Sequence, residues 1–145
     1  MEALWLLVVF SLGIEQAQLV TVNRDSQGLT SVPTDIDTGV TILYLRSNSI
    51  KEIKQTDFNW KYPHLESINL GKNNIAVVED GSFNGTALRT IYATNNSMTQ
   101  FPDYCAISGT VEVISVAGNR INAISAHRIA CLTALQWLYL NSNPI

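Results

Sequence analysis

The chain has 145 residues, 46% of them hydrophobic and 14% charged, and carries nine Lys and Arg against twelve Asp and Glu for a net charge of −3. Such a composition is too apolar for a disordered chain, and the length suits one ordinary domain. The basic residues from Arg24 to Arg128 are scattered without forming a run, so nothing electrostatic points to nucleic acid.

The first element is the apolar block ALWLLVVFSLGI, Ala3 to Ile14. It falls short of the roughly 20 residues a membrane-spanning helix needs and has the length of a signal-peptide core. A leader over residues 1–18 is therefore expected, and with it an extracellular product, secreted or held at the cell surface. Glu2 stands where a basic residue is usual, and the cut falls either near the small pair Ser11 and Gly13 or after Ala17. Losing the leader removes Glu2 and Glu15 and leaves nine basic residues against ten acidic ones. No later apolar run is long enough to cross a bilayer.

Residues 19–39 come next. In LVTVNRDSQGLTSVPTDI, Val20 and Val22 predict a first short strand, Gly28 a turn and Pro33 a fixed exit from it. This stretch is expected to cap the N-terminal end of the fold.

From residue 40 the chain repeats itself. The octet LYLRSNSI at 43–50 returns as LYLNSNPI at 138–145, and aligning outward from it gives five copies of one frame: VTILYLRSN, LESINLGKN, LRTIYATNN, VEVISVAGN and LQWLYLNSN. Apolar residues hold positions 1, 4 and 6, and Asn holds position 9 as Asn48, Asn73, Asn96, Asn119 and Asn143, spaced by 25, 23, 23 and 24 residues. Further apolar residues follow at position 11 (Ile50, Ile75, Met98, Ile121, Ile145) and position 14 (Ile53, Val78, Phe101, Ile124). Position 19 holds Phe58, Phe83 and Ile129, while the third copy offers Ala106 with Cys105 beside it.

A period of this length is the mark of a stacked solenoid. Alternation at positions 4 and 6 predicts a short strand with one buried face, and successive copies stack these strands in parallel about 4.8 Å apart. One coil cannot bury its own apolar face, so its neighbours complete the core. A position-9 Asn offers two donors and an acceptor to backbone groups left unpaired at the turn.

The pattern resembles the typical extracellular leucine-rich repeat, LxxLxLxxNxIxxIxxxxF. The resemblance covers residues 20–145 as five repeats, at 40–64, 65–87, 88–110, 111–134 and an incomplete 135–145. It implies an α/β right-handed solenoid, with a parallel sheet on the concave face and irregular or short helical return segments on the convex face. The flank at 19–39 resembles that of secreted families of the Slit, Toll-like receptor and variable lymphocyte receptor type, but lacks their cysteines. The fifth repeat breaks off without its return loop or a C-terminal flank. A C-terminally truncated fragment of a longer protein is therefore expected, exposing Leu138, Leu140 and Ile145.

The outward-facing strand positions are the candidate binding surface. Position 5 gives Tyr44, Asn69, Tyr92, Ser115 and Tyr139; position 3 gives Ile42, Ser67, Thr90, Val113 and Trp137; position 7 gives Arg46, Gly71, Thr94, Ala117 and Asn141. Tyr, Trp and Arg carry most interface energy, which selects Tyr44, Arg46, Asn69, Tyr92, Thr94, Trp137 and Tyr139 as ligand contacts. The competing reading is that aromatics simply favour strands. Cys105 and Cys131, at positions 18 and 21 of adjacent coils, allow one disulfide or two separate buried thiols. Asn84 (NGT) and Asn95 (NNS) are N-glycosylation acceptors.

No metal or other cofactor and no catalysis are expected. His64 and His127 lack the paired spacing of a zinc site, no nucleophile elbow is present, and ISGTVEV at 107–113 lacks the glycines and lysine of a phosphate loop. The predicted function is extracellular recognition of a protein or glycan through the concave sheet. The alternatives are a self-associating matrix or adhesion spacer, and the ectodomain of a signalling receptor.

Overall fold

A computed structural model describes residues 18–145. Apart from Gln18, the expected leader lies outside the described residues. The strands are β1 (Thr21–Asn23), β2 (Ile42–Tyr44), β3 (Glu52–Ile53), β4 (Ser67–Asn69), β5 (Val77–Val78), β6 (Thr90–Tyr92), β7 (Val113–Ser115) and β8 (Trp137–Tyr139). Between them lie the helices α1 (Gln55–Phe58) and α2 (Ala126–Ala130) and a 3₁₀ turn at Cys105–Ile107. None of the described helices is long and apolar enough to cross a membrane.

Six strands form one parallel sheet in the order β1-β2-β4-β6-β7-β8. Each pairs with its counterpart one repeat away: Leu43 lies opposite Ile68, Ile68 opposite Ile91, and Ile114 opposite both Ile91 and Leu138. This register buries every position-4 side chain of repeats one to four completely, together with Val40, Leu65, Leu88 and Val111 at position 1. Ile50, Ile75, Met98 and Ile121 continue the same interior past the strands. Each such side chain contributes about 1.5–3 kcal/mol by leaving water, and the interior runs without a break from Val32 to Leu132. The flank joins this stack through β1, whose Val22 packs against the core.

A sharp turn follows each strand of the six-stranded sheet. The residue before each ladder Asn is left-handed, with φ of 58° at Ser47, 53° at Lys72, 54° at Asn95, 67° at Gly118 and 58° at Ser142; Ser26 repeats the feature in the flank at 55°. Asn and Gly take this conformation readily and the other types at some expense. The backbone gains a hydrogen bond from it: Ser47, Lys72, Asn95 and Gly118 each donate N–H to the carbonyl two residues before the next coil's Asn, at 2.9 Å.

At the back of the coils the aromatic rings of Phe58, Phe83 and Tyr104 stack, with centroids 5.4 and 6.1 Å apart, and Phe101 meets Tyr104 edge-on at 5.6 Å. Tyr104, not Ala106, fills the third coil, and Ala106 is exposed. The 3₁₀ turn begins two positions later in the frame than α1 and α2 do, with Asp103 Oδ1 accepting from Cys105 N–H at 2.9 Å at its entry and Tyr104 immediately before it. Burial pushes its phenol well above the ordinary range.

A second, two-stranded parallel sheet of β3 and β5 lies beside the first and stops at the third coil. Glu79 donates N–H to Ile53 O at 2.9 Å. The equivalent donor in the next coil is Pro102, which has none. One coil further on, the Phe101 carbonyl, at the place of Ile53 O, accepts from the Arg128 guanidinium, which also pairs with Asp80 at 3.6 Å.

Candidate functional site

The ladder asparagines form a file along the sheet's edge, each bonded to its own coil and to the one before. Asn73 Nδ2 donates to Leu45 O at 2.9 Å and to Leu70 O at 3.0 Å, while its Oδ1 accepts from Ile50 N–H at 3.1 Å. Asn96 serves Leu70, Ala93 and Ile75 in the same way, and Asn119 serves Ala93, Val116 and Met98. Asn48 applies the scheme to the flank, accepting from Gln27 and Leu29 N–H and donating to Arg24 O. Asn143, half-buried, repeats it with Val116, Leu140 and Ile121. The amide answers each donor and acceptor that the turn leaves buried.

The ladder fixes the strands, and the strands set out the concave columns. Tyr44, Asn69, Tyr92, Ser115 and Tyr139 stand opposite one another strand by strand, as do Ile42, Ser67, Thr90, Val113 and Trp137. Exposure divides them. Tyr92, Trp137 and Tyr139 are 40%, 58% and 46% exposed, concentrating open aromatic surface on β6 and β8. Ser115 between the two tyrosines is buried, shaded by its larger neighbours. Tyr44 is half-buried nearer the flank.

The polar candidates have local duties as well. Asn69 Oδ1 accepts from Gly71 N–H at 3.0 Å, closing a turn on its own backbone. A Cβ added at Gly71 would come 3.0 Å from Thr94 Oγ1, so Thr94 rests over that glycine. Arg46 is exposed, and its N–H donates to Asp25 Oδ1 of the flank. Arg89 and Glu112 pair along the rim.

On the return side Cys105 and Cys131 are joined by a disulfide between the third and fourth coils, with Cα atoms 5.5 Å apart. Asp103 is the acidic neighbour of that bridge, but bridged cysteines present no thiolate to a metal. His64 and His127 are exposed in return segments. Of the two acceptor asparagines, Asn95 is one of the left-handed residues and its side chain lies against Gly118, where a Cβ would fall 2.3 Å from Oδ1. Asn84 sits in a return turn, half-buried, with Oδ1 enclosed and unpartnered.

Pattern reading overlooked Tyr104, Arg128 and Trp60. Tyr104 is signalled only as one of two large apolar groups flanking position 19 in the third coil, the other being Ile107, also buried. Trp60, 76% exposed beside the Asn84 turn, has no periodic signature at all.

Comparison with known proteins agrees with this geometry. The family described as Leucine rich repeat matches residues 38–98. The chain is similar to Toll-like receptor 7 of Mus musculus, 27% identical over 86% of this chain and 13% of that protein. It is also similar to asporin of Bos taurus, 28% identical over 68% and 27% respectively. Leucine-rich repeat-containing protein 3 of Danio rerio is 32% identical over 61% and 34%. The chain thus spans about an eighth to a third of the length of these relatives. Among solved structures, a complex of TLR13 with ssRNA13 superposes with a TM-score of 0.76 at 22% identity, covering 86% of this chain and 18% of that one. A repeated frame, a parallel sheet with one strand per repeat, a file of bridging asparagines and these matches show a leucine-rich-repeat solenoid fold, with leucine-rich repeats matched over residues 38–98.

Proposed function

We propose that the chain is an extracellular recognition module that binds a protein or glycan ligand through its concave sheet and performs no catalysis. The observation that carries this reading is the open aromatic group Tyr92, Trp137 and Tyr139, displayed on a sheet whose register is fixed independently by the buried core and the Asn file. Aromatic side chains that are already ordered lose little freedom on binding and bury large area, which makes them efficient anchors. Tyr44, Arg46, Asn69 and Thr94 extend the same surface toward the flank. The Cys105–Cys131 bridge suits an oxidising compartment, as does the apolar N-terminal block.

A second reading, a self-associating adhesion spacer, draws on the same exposed aromatics. The test is a panel of cell-surface proteins, glycans and single-stranded RNA probed with the secreted chain and with Tyr92→Ala and Trp137→Ala. Binding to a protein or glycan that both variants lose, at unchanged melting temperature, supports recognition. A concentration-dependent dimer that both variants dissolve, with no ligand found, replaces it with the spacer. Binding confined to RNA overturns the ligand class.

A further inference from the structure

Trp60 belongs to no part of the concave face. It follows α1 on the return side, 76% exposed, and its backbone is left-handed at φ 57°, a combination bulky residues rarely hold. Two contacts keep it there. Its N–H donates to the Asn84 carbonyl at 2.9 Å, and the six-membered ring of its indole lies over Gly85 so closely that a Cβ on Gly85 would fall 2.3 Å from Cε3. Gly85 is itself left-handed at φ 74°. Trp60 is therefore seated on the middle residue of Asn84-Gly85-Thr86, an N-glycan acceptor triplet.

The triplet occupies a closed turn, in which Thr86 donates both N–H and Oγ1 to Phe83 O at 3.2 and 2.7 Å. Asn84 needs no left-handed backbone there, whereas Asn95 serves the strand-ending turn and leans on Gly118. Because Gly85 has no side chain, the indole occupies the space a Cβ there would take, and it adjoins the backbone of Asn84 through the Trp60 N–H bond.

We propose that Asn84 carries an N-linked glycan whose first N-acetylglucosamine packs on the open surface of the Trp60 indole. The C–H-rich face of a pyranose, slightly positive, complements the negative face of an aromatic ring. The same contact removes from water a large apolar group that is otherwise left open. The glycan lies on the return side and leaves the concave sheet free. This inference rests on the extracellular reading above, since the sugar is added only to chains entering the secretory route.

The test secretes the full chain from mammalian cells and maps sugar at Asn84 and Asn95 by glycopeptide mass spectrometry. The glycan is then trimmed to its first residue, and melting is compared with Asn84→Gln in three backgrounds: native, Trp60→Ala and Trp60→Leu. The expected result is sugar at Asn84 that raises the melting temperature by about 3 °C in the native background and leaves it unchanged in both Trp60 variants. A bare Asn84 in secreted protein overturns the site. Retention of the chain inside the cell with both asparagines bare overturns the site and the extracellular reading together. An equal rise in the Ala variant overturns the contact, and an equal rise in the Leu variant overturns its aromatic basis; the Leu variant alone decides if the Ala variant is not secreted.

Discussion

Asn96 reaches back a full coil to Leu70: its Nδ2 donates to the Leu70 carbonyl at 3.0 Å, and the same side chain accepts the Ile75 N–H at 2.9 Å. Replacing it with Ala strands these groups in a dry interior, at about 1–3 kcal/mol for each left unsatisfied. Asn96→Ala is expected to lower stability by about 3 kcal/mol or more in urea unfolding. Asn143→Ala, whose site is half-exposed, is expected to lose less than half of that.

The Cys105–Cys131 bridge closes a sequence separation of 26 residues. On the loop-entropy account it contributes about 3 kcal/mol. Reduction, or the Cys105→Ser, Cys131→Ser pair, is expected to lower the urea midpoint and to raise the slope slightly, because the unfolded chain without its cross-link exposes more surface. Free-thiol labelling before and after reductant checks that the bridge is present at the start.

Tyr104 predicts an alkaline weakness. An unfolded tyrosine ionises near pH 10, while burial holds the folded phenol well above that. The folded state therefore keeps a proton that the unfolded state releases, and stability falls as pH rises past about 10. Urea midpoints between pH 8 and 11 are expected to drop less in Tyr104→Phe than in the native chain. Some loss remains, because burial also raises Tyr62, with Asp57 and Asp35 adding to it.

Gly85→Ala keeps the glycan acceptor triplet yet places a methyl against the Trp60 ring at a left-handed position. Destabilisation of more than about 1 kcal/mol is expected. Adding Trp60→Ala to the same chain is expected to recover the steric share and leave the backbone share, which a double-mutant cycle in urea separates.

Much of this architecture was legible because its causes are periodic. Positions 1, 4, 6 and 11 repeat because each faces the same neighbour one coil away, so Leu43, Ile68, Ile91 and Ile114 predict one another's burial. The Asn file repeats because every strand ends in the same unpaired backbone groups. The features that escaped reading arise where one coil differs from the rest. Tyr104 takes the place of a position-19 residue just before a 3₁₀ turn that begins two positions later in the frame than α1 and α2 do, and Pro102 withdraws the donor that would carry the second sheet into the third coil. The left-handed turn residues were hidden for another reason: Ser47 and Lys72 are not types that advertise such a backbone, and their N–H groups are held there by the next coil's carbonyls. Along the concave columns the sequence showed which residues align. It did not show that Ser115 would be shaded while Trp137 stands clear.

Pro102 has a mechanical consequence for the whole solenoid. The return halves of the first two coils are laced by β3 and β5 and those of the third and fourth by a covalent clasp, whereas those of the second and third meet at a seam through the packing of Phe83 on Tyr104 and the outlying Arg128–Asp80 pair, with no strand pairing there among the described residues. Bending and amide exchange on the convex side will concentrate at that seam. The arc can thus widen or tighten there as though hinged, and alter the distance between Tyr44 and Trp137 while every strand of the main sheet stays paired.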